Sequence, residues 1–151
     1  MLFSRGKEKD RRIRRVLIVE DEPIVAFNHE TLLLDAGYEV TGTVDNAADA
    51  LALIEAGNCD LVLADITISG EGDGLDVARA AGARGIAVLF AAGSCPIGGE
   101  AFAVGCLAKP FSAQMLKAAI EVVDRILAGK APQRIPEGLS LYPASARDER
   151  A

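Results

Sequence analysis

Four residues of this chain have the types and spacing for phosphoryl chemistry. Glu20 and Asp21 follow the apolar run Val16-Leu17-Ile18-Val19, Asp65 ends the run Leu61-Val62-Leu63-Ala64, and Lys109 stands in Leu107-Ala108-Lys109-Pro110. If these runs are parallel strands of one sheet, three carboxylates and an ammonium meet at the edge where such sheets bind ligands, outside the carboxyl ends of the strands. Hard oxygen donors of this kind suit Mg²⁺, which keeps several waters and takes only a few carboxylates. A carboxylate beside that ion can attack a phosphoryl donor to give an acyl phosphate, while the cation and the lysine offset the charge on the transferred group. Taken singly, each acid is more often a turn or cap residue; the ordered set is what points to the chemistry.

The elements that must position these residues alternate. Five β-rich runs, Val16–Val19, Glu39–Val44, Leu61–Ala64, Ile86–Ala91 and Cys106–Ala108, are mostly too continuously apolar for a sheet with one wet face, so the strands are buried on both sides. Between them lie helical segments with recognisable ends. Pro23 opens the first and Gly37 closes it; Asp45 or Asn46 caps the second and Gly57 ends it; Ser112 caps the last, Ala113–Ala128, before Gly129. In that last helix Leu116, Ala119, Ile120, Val123 and Leu127 recur at three- and four-residue steps and mark one face for burial. The third helix, near Leu75–Ala81, is short, and the fourth must fit between Pro96 and Val104. The alternation predicts an α/β fold, a parallel sheet with helices on both faces.

Length and composition bound the rest. The 151 residues support one ordinary domain. Residues 1–13 read as a flexible basic leader and 14–128 as the folded domain. Residues 129–151, with Pro132, Pro136 and Pro143 and few large apolar groups besides Ile135, Leu139, Leu141 and Tyr142, read as a mostly disordered tail. No second domain, DNA-binding or otherwise, is expected. The net charge of −6 hides an asymmetry, since residues 1–15 hold seven basic residues against two acidic ones. Such an arm can touch nucleic acid or anionic lipid, but it lacks interleaved aromatics, and a solvated leader is the simpler reading. With no apolar stretch long enough to span a membrane and no signal-peptide core, the expected location is the cytoplasm. Cys59, Cys95 and Cys106 make an odd count without C-x-x-C spacing, so neither a disulfide framework nor a zinc site is expected, and reduced thiols are. The single His29 lies among Val25, Leu32 and Leu33 and reads as a helix-flank or partly buried histidine.

The chain from about Arg14 to Ala128 closely resembles the receiver domain of two-component response regulators. The resemblance rests on Val-Leu-Ile-Val-Glu-Asp-Glu-Pro at 16–23, Asp-Leu-Val-Leu-Ala-Asp-Ile at 60–66, Asp-Gly-Leu-Asp at 73–76 and Lys-Pro-Phe at 109–111. It implies a flavodoxin-like (βα)5 fold, a doubly wound parallel sheet of five strands in order 2-1-3-4-5. It makes Asp65 the acceptor of a phosphoryl group from a histidine kinase or histidine phosphotransfer protein. It makes Glu20, Asp21, Asp65 and the backbone carbonyl of Thr67 the Mg²⁺ ligands, and Lys109 the phosphate-pairing lysine. The Lys109-Pro110 bond is usually cis in this family.

Departures from the family pattern bear on mechanism. Ala92 stands where a Thr or Ser usually hydrogen-bonds the phosphoryl oxygen, and alanine has no hydroxyl. Cys106 stands where a Tyr or Phe usually turns inward on activation. Asp65 and Lys109 are 44 positions apart, shorter than usual, which trims the third and fourth helices. Gly93-Ser94-Cys95-Pro96-Ile97-Gly98-Gly99 is poor helix material. The expected function is a single-domain response regulator, not an enzyme, that signals through a downstream protein or a phosphorelay, with a homodimer left open. The alternative is a receiver-shaped binding module that works without phosphorylation. An aspartate-nucleophile phosphatase would need a second acid two residues after Asp65, where Thr67 stands.

Overall fold

A computed structural model of the chain describes residues 11–66, 74–95, 103–132 and 134–142. Its strands are β1 (Arg15–Val19), β2 (Glu39–Val44), β3 (Leu61–Asp65), β4 (Ala87–Ala92), β5 (Gly105–Ala108) and β6 (Leu139–Leu141). The helices are α1 (Pro23–Asp35), α2 (Ala47–Ala56), α3 (Gly74–Ala83) and α4 (Ala113–Leu127). The sheet runs β2-β1-β3-β4-β5-β6, parallel except for the last pair. The expected order 2-1-3-4-5 is thus present, extended by one strand.

Continuous apolar runs end up buried on both faces because successive side chains of a strand point to opposite sides. Ile18, Leu63, Leu89 and Leu107 pack with Leu33 of α1 and with Leu116, Ile120 and Val123 of α4. Leu17, Val19, Val62, Val88 and Phe90 pack on the other side with Ala50 and Ile54 of α2 and with Val77 and Ala81 of α3. Helix ends follow the local chemistry. Pro23 opens α1, the side chain of Asn46 accepts from the Asp49 N–H, and that of Ser112 accepts from the Met115 N–H. Gly37, Gly57 and Gly129 take the positive φ that ends a helix most cheaply.

Three expectations need correction. Residues 134–142 are ordered against the sheet: β6 pairs antiparallel with β5 through Gly105↔Leu141, Cys106↔Ser140 and Leu107↔Leu139, while Leu139 and Tyr142 are buried. The open edge of β5 needs partners for its backbone groups, and three residues suffice to supply them. The cysteines are not all thiols either, since Cys95 and Cys106 form a disulfide. Adjacency of β5 to the end of β4 brings them together, and sequence spacing carries no trace of it. The third helix runs ten residues, as long as α2. The position expected for a shortened fourth helix falls mostly on residues 96–102, outside the described residues.

Candidate functional site

The carboxyl ends of β1, β3 and β5 converge on one pocket. Glu20 and Asp21 follow β1, Asp65 is the last residue of β3, and Lys109 follows β5. Glu20, Asp21 and Asp65 each offer a carboxylate oxygen, and these oxygens all lie within 4.8 Å of one another. Lys109 Nζ donates to Glu20 Oε1 at 2.6 Å and lies 3.5 Å from Asp65 Oδ2. Because β4 separates β3 from β5, the lysine reaches Asp65 over the end of β4, which closes in the small residues Ala91 and Ala92.

Burial and charge oppose each other in this pocket. Burial pushes the Glu20 carboxyl above its ordinary pKa, and the hydrogen bonds from Lys109 and the Glu22 N–H only partly offset it. Burial also works against the Lys109 ammonium, yet Glu20 and Asp65 outweigh it and hold the lysine above its ordinary value. Three acids this close repel one another, and one lysine cannot neutralise them all. The donor set is oxygen only, anionic and partly open, with Asp21 and Asp65 half-buried. It therefore fits a hard divalent cation.

The expected site residues come together except Thr67, which lies outside the described residues. Ala92 ends β4 opposite Ala108, and its carbonyl accepts from the Lys109 N–H at 2.8 Å. Ser94, the nearest alternative hydroxyl in sequence, is exposed in the bend after β4. Cys106 is fully buried in β5, and the Lys109-Pro110 bond is cis. His29 is buried in α1 and stacks on Phe111 at 4.8 Å between ring centroids. Burial, aided by the Lys109 charge, lowers its pKa to about 4.

One residue was passed over in the sequence. A Cβ placed on Gly74 would come within 2.7 Å of the carbonyl oxygens of Asp65 and Ile66, and the Gly74 N–H donates to Ile66 O at 3.1 Å. The first residue of α3 thus rests on the backbone that carries Asp65, a contact only glycine permits. The Asp-Gly-Leu-Asp motif contains the residue but does not reveal the contact.

Comparison with known proteins bears on the fold that carries this geometry. The family model of the response regulator receiver domain matches residues 16–121. The transcriptional regulatory protein PdtaR of Mycobacterium tuberculosis is 35% identical over 115 residues, which cover 72% of this chain and 56% of PdtaR. The chain thus spans little more than half of that relative. The chemotaxis protein CheY of Pseudomonas aeruginosa is 30% identical over 118 residues, covering 72% of this chain and 94% of CheY. Among solved structures, a response regulator receiver protein from Sinorhizobium medicae superposes with a TM-score of 0.65 at 27% identity, covering 75% of this chain and 95% of that one. The response regulator PhyR from Brucella abortus gives a TM-score of 0.65 at 26% identity, covering 85% of this chain and 54% of PhyR.

Proposed function

Since the chain belongs to the response regulator receiver domain family, we propose that Asp65 accepts a phosphoryl group from a phosphohistidine on a histidine kinase or phosphotransfer protein. The convergence of Glu20, Asp21, Asp65 and Lys109 at one sheet edge carries this reading. An Asp65 carboxylate oxygen attacks phosphorus, the phosphorus–nitrogen bond of the donor breaks, and its electron pair returns to the imidazole. Mg²⁺, held by Glu20, Asp21, Asp65 and the carbonyl of Thr67, would supply positive charge to the transferring phosphoryl oxygens. Lys109 keeps its ammonium charged within reach of Asp65 and pairs with the product phosphate. Ile24 and Phe27, 84% and 72% exposed at the start of α1, offer an apolar surface beside the pocket for the donor protein. The setting is the cytoplasm, and the output is contact with a partner protein or onward phosphorelay.

Incubation with Mg²⁺ and acetyl phosphate, followed on a phosphate-affinity gel, should give a retarded band that Asp65→Asn abolishes and EDTA prevents. Absence of the band with both acetyl phosphate and a competent kinase would overturn the assignment. Ala92 and Cys106 favour a second reading, a receiver-shaped binding module. It predicts partner affinity that is unchanged by Asp65→Asn and by phosphorylation.

A further inference from the structure

Outside the acid pocket, Cys95 and Cys106 form a disulfide with Cα atoms 5.8 Å apart. Their places are informative. Cys95 lies three residues beyond Ala92, Cys106 lies three residues before Lys109, and the Lys109 N–H is bonded to Ala92 O. The cross-link therefore braces the β4–β5 rung from which Lys109 reaches the pocket. Cys106 is fully buried, with Phe90, Ala92 and Tyr142 in the same cluster, whereas Cys95 is only partly buried against that cluster. Among the described residues Cys95 is thus the more accessible of the pair, and the sulfur on which a reagent would act first. Cys59 precedes β3, at the opposite end of the strands, and burial pushes its thiol up, so it takes no part.

We propose that Cys95 and Cys106 are a reversible dithiol–disulfide site, closed by a hydroperoxide and reopened by a dithiol, and that its state sets how long Asp65 keeps a phosphoryl group. Only the second half rests on the phosphoacceptor reading. The Cys95 thiolate attacks a peroxide oxygen, the O–O bond breaks, and Cys95 sulfenic acid forms with release of an alcohol, or water from hydrogen peroxide. The Cys106 sulfur then attacks the Cys95 sulfur and expels the hydroxyl as water. Two thiols are oxidised and one peroxide is reduced. Thiol–disulfide exchange at Cys95 with a dithiol reverses the step and oxidises that dithiol. In a reducing compartment disulfides are mostly transient and sensing, which suits a pair with one accessible sulfur.

The test uses the full chain, reduced with dithiothreitol, desalted, treated with hydrogen peroxide and alkylated under denaturing conditions with a maleimide polymer. The reduced protein should take up three labels, the peroxide-treated protein one, at Cys59, and the protein treated afterwards with dithiothreitol three again. Cys95→Ser should take up two labels throughout. Three labels after peroxide would overturn the site. Separately, hydrolysis of phosphorylated Asp65 should differ about threefold or more between oxidised and reduced protein, as expected when a pocket group is held differently. The difference should vanish in Cys95→Ser and in Cys106→Ala, a second variant that leaves the more accessible cysteine in place. Equal lifetimes would overturn the coupling, whereas failure of Asp65 to be phosphorylated at all would appear on the gel and leave the label count unaffected.

Discussion

Lys109 serves two carboxylates at once, 2.6 Å from Glu20 and 3.5 Å from Asp65. In Lys109→Ala the buried Glu20 loses its cationic partner, which should cost about 1–3 kcal/mol in Mg²⁺-free buffer. Adding Mg²⁺ should recover much of that loss, because a divalent cation replaces the missing positive charge. Urea denaturation with and without Mg²⁺ measures both effects, and an equal loss in the two conditions would contradict the shared-charge account. His29 acts in the opposite sense. Folded, it stays neutral down to about pH 4; unfolded, it takes a proton below its ordinary value near 6.5. The unfolded state then binds more protons, so stability is complete above pH 6.5 and falls as pH drops toward 4, by roughly 2–3 kcal/mol over that window. His29→Gln should flatten this part of the stability-against-pH curve. An unchanged slope would show that His29 is protonated in the fold.

At the scale of elements, α1 turns two faces to different purposes. Ala26, His29 and Leu33 are buried, while Ile24, Phe27 and Leu34 are exposed. Phe27→Ser should change stability by no more than about 0.5 kcal/mol. It should slow phosphoryl transfer from a histidine kinase while leaving transfer from acetyl phosphate untouched. Equal slowing with both donors would place the defect in the pocket instead of the docking surface. Elements whose rules are local were legible in the sequence. The caps Asn46 and Ser112, the stops at Gly37, Gly57 and Gly129, and the two-sided strands all follow from propensity and burial. The acid pocket was legible too, because each of its groups sits at the end of an apolar run. Features that depend on which strands become neighbours were not. The Cys95–Cys106 link and the seat of Gly74 on Asp65 exist only once β3, β4, β5 and α3 are assembled. Leu139, Ser140 and Leu141 are too few to show a period.

For the molecule as a whole, β6 is a working part of the sheet. Ending the chain after residue 130 would remove the partners of Gly105, Cys106 and Leu107 and take two buried side chains, Leu139 and Tyr142, from the core. The expected loss is about 3–6 kcal/mol, from some 1.5–3 kcal/mol for each large apolar side chain. Size-exclusion chromatography at rising concentration should also show the truncated protein self-associating, since an unpaired edge recruits other strands. A monomer of unchanged melting temperature would mean that the added strand contributes nothing. The family match ends at residue 121, whereas the sheet closes at 141. The matched segment and the folded unit therefore differ by the last turns of α4 and by β6. A chimera spliced after α4, without β6, would carry an adhesive seam into its new host.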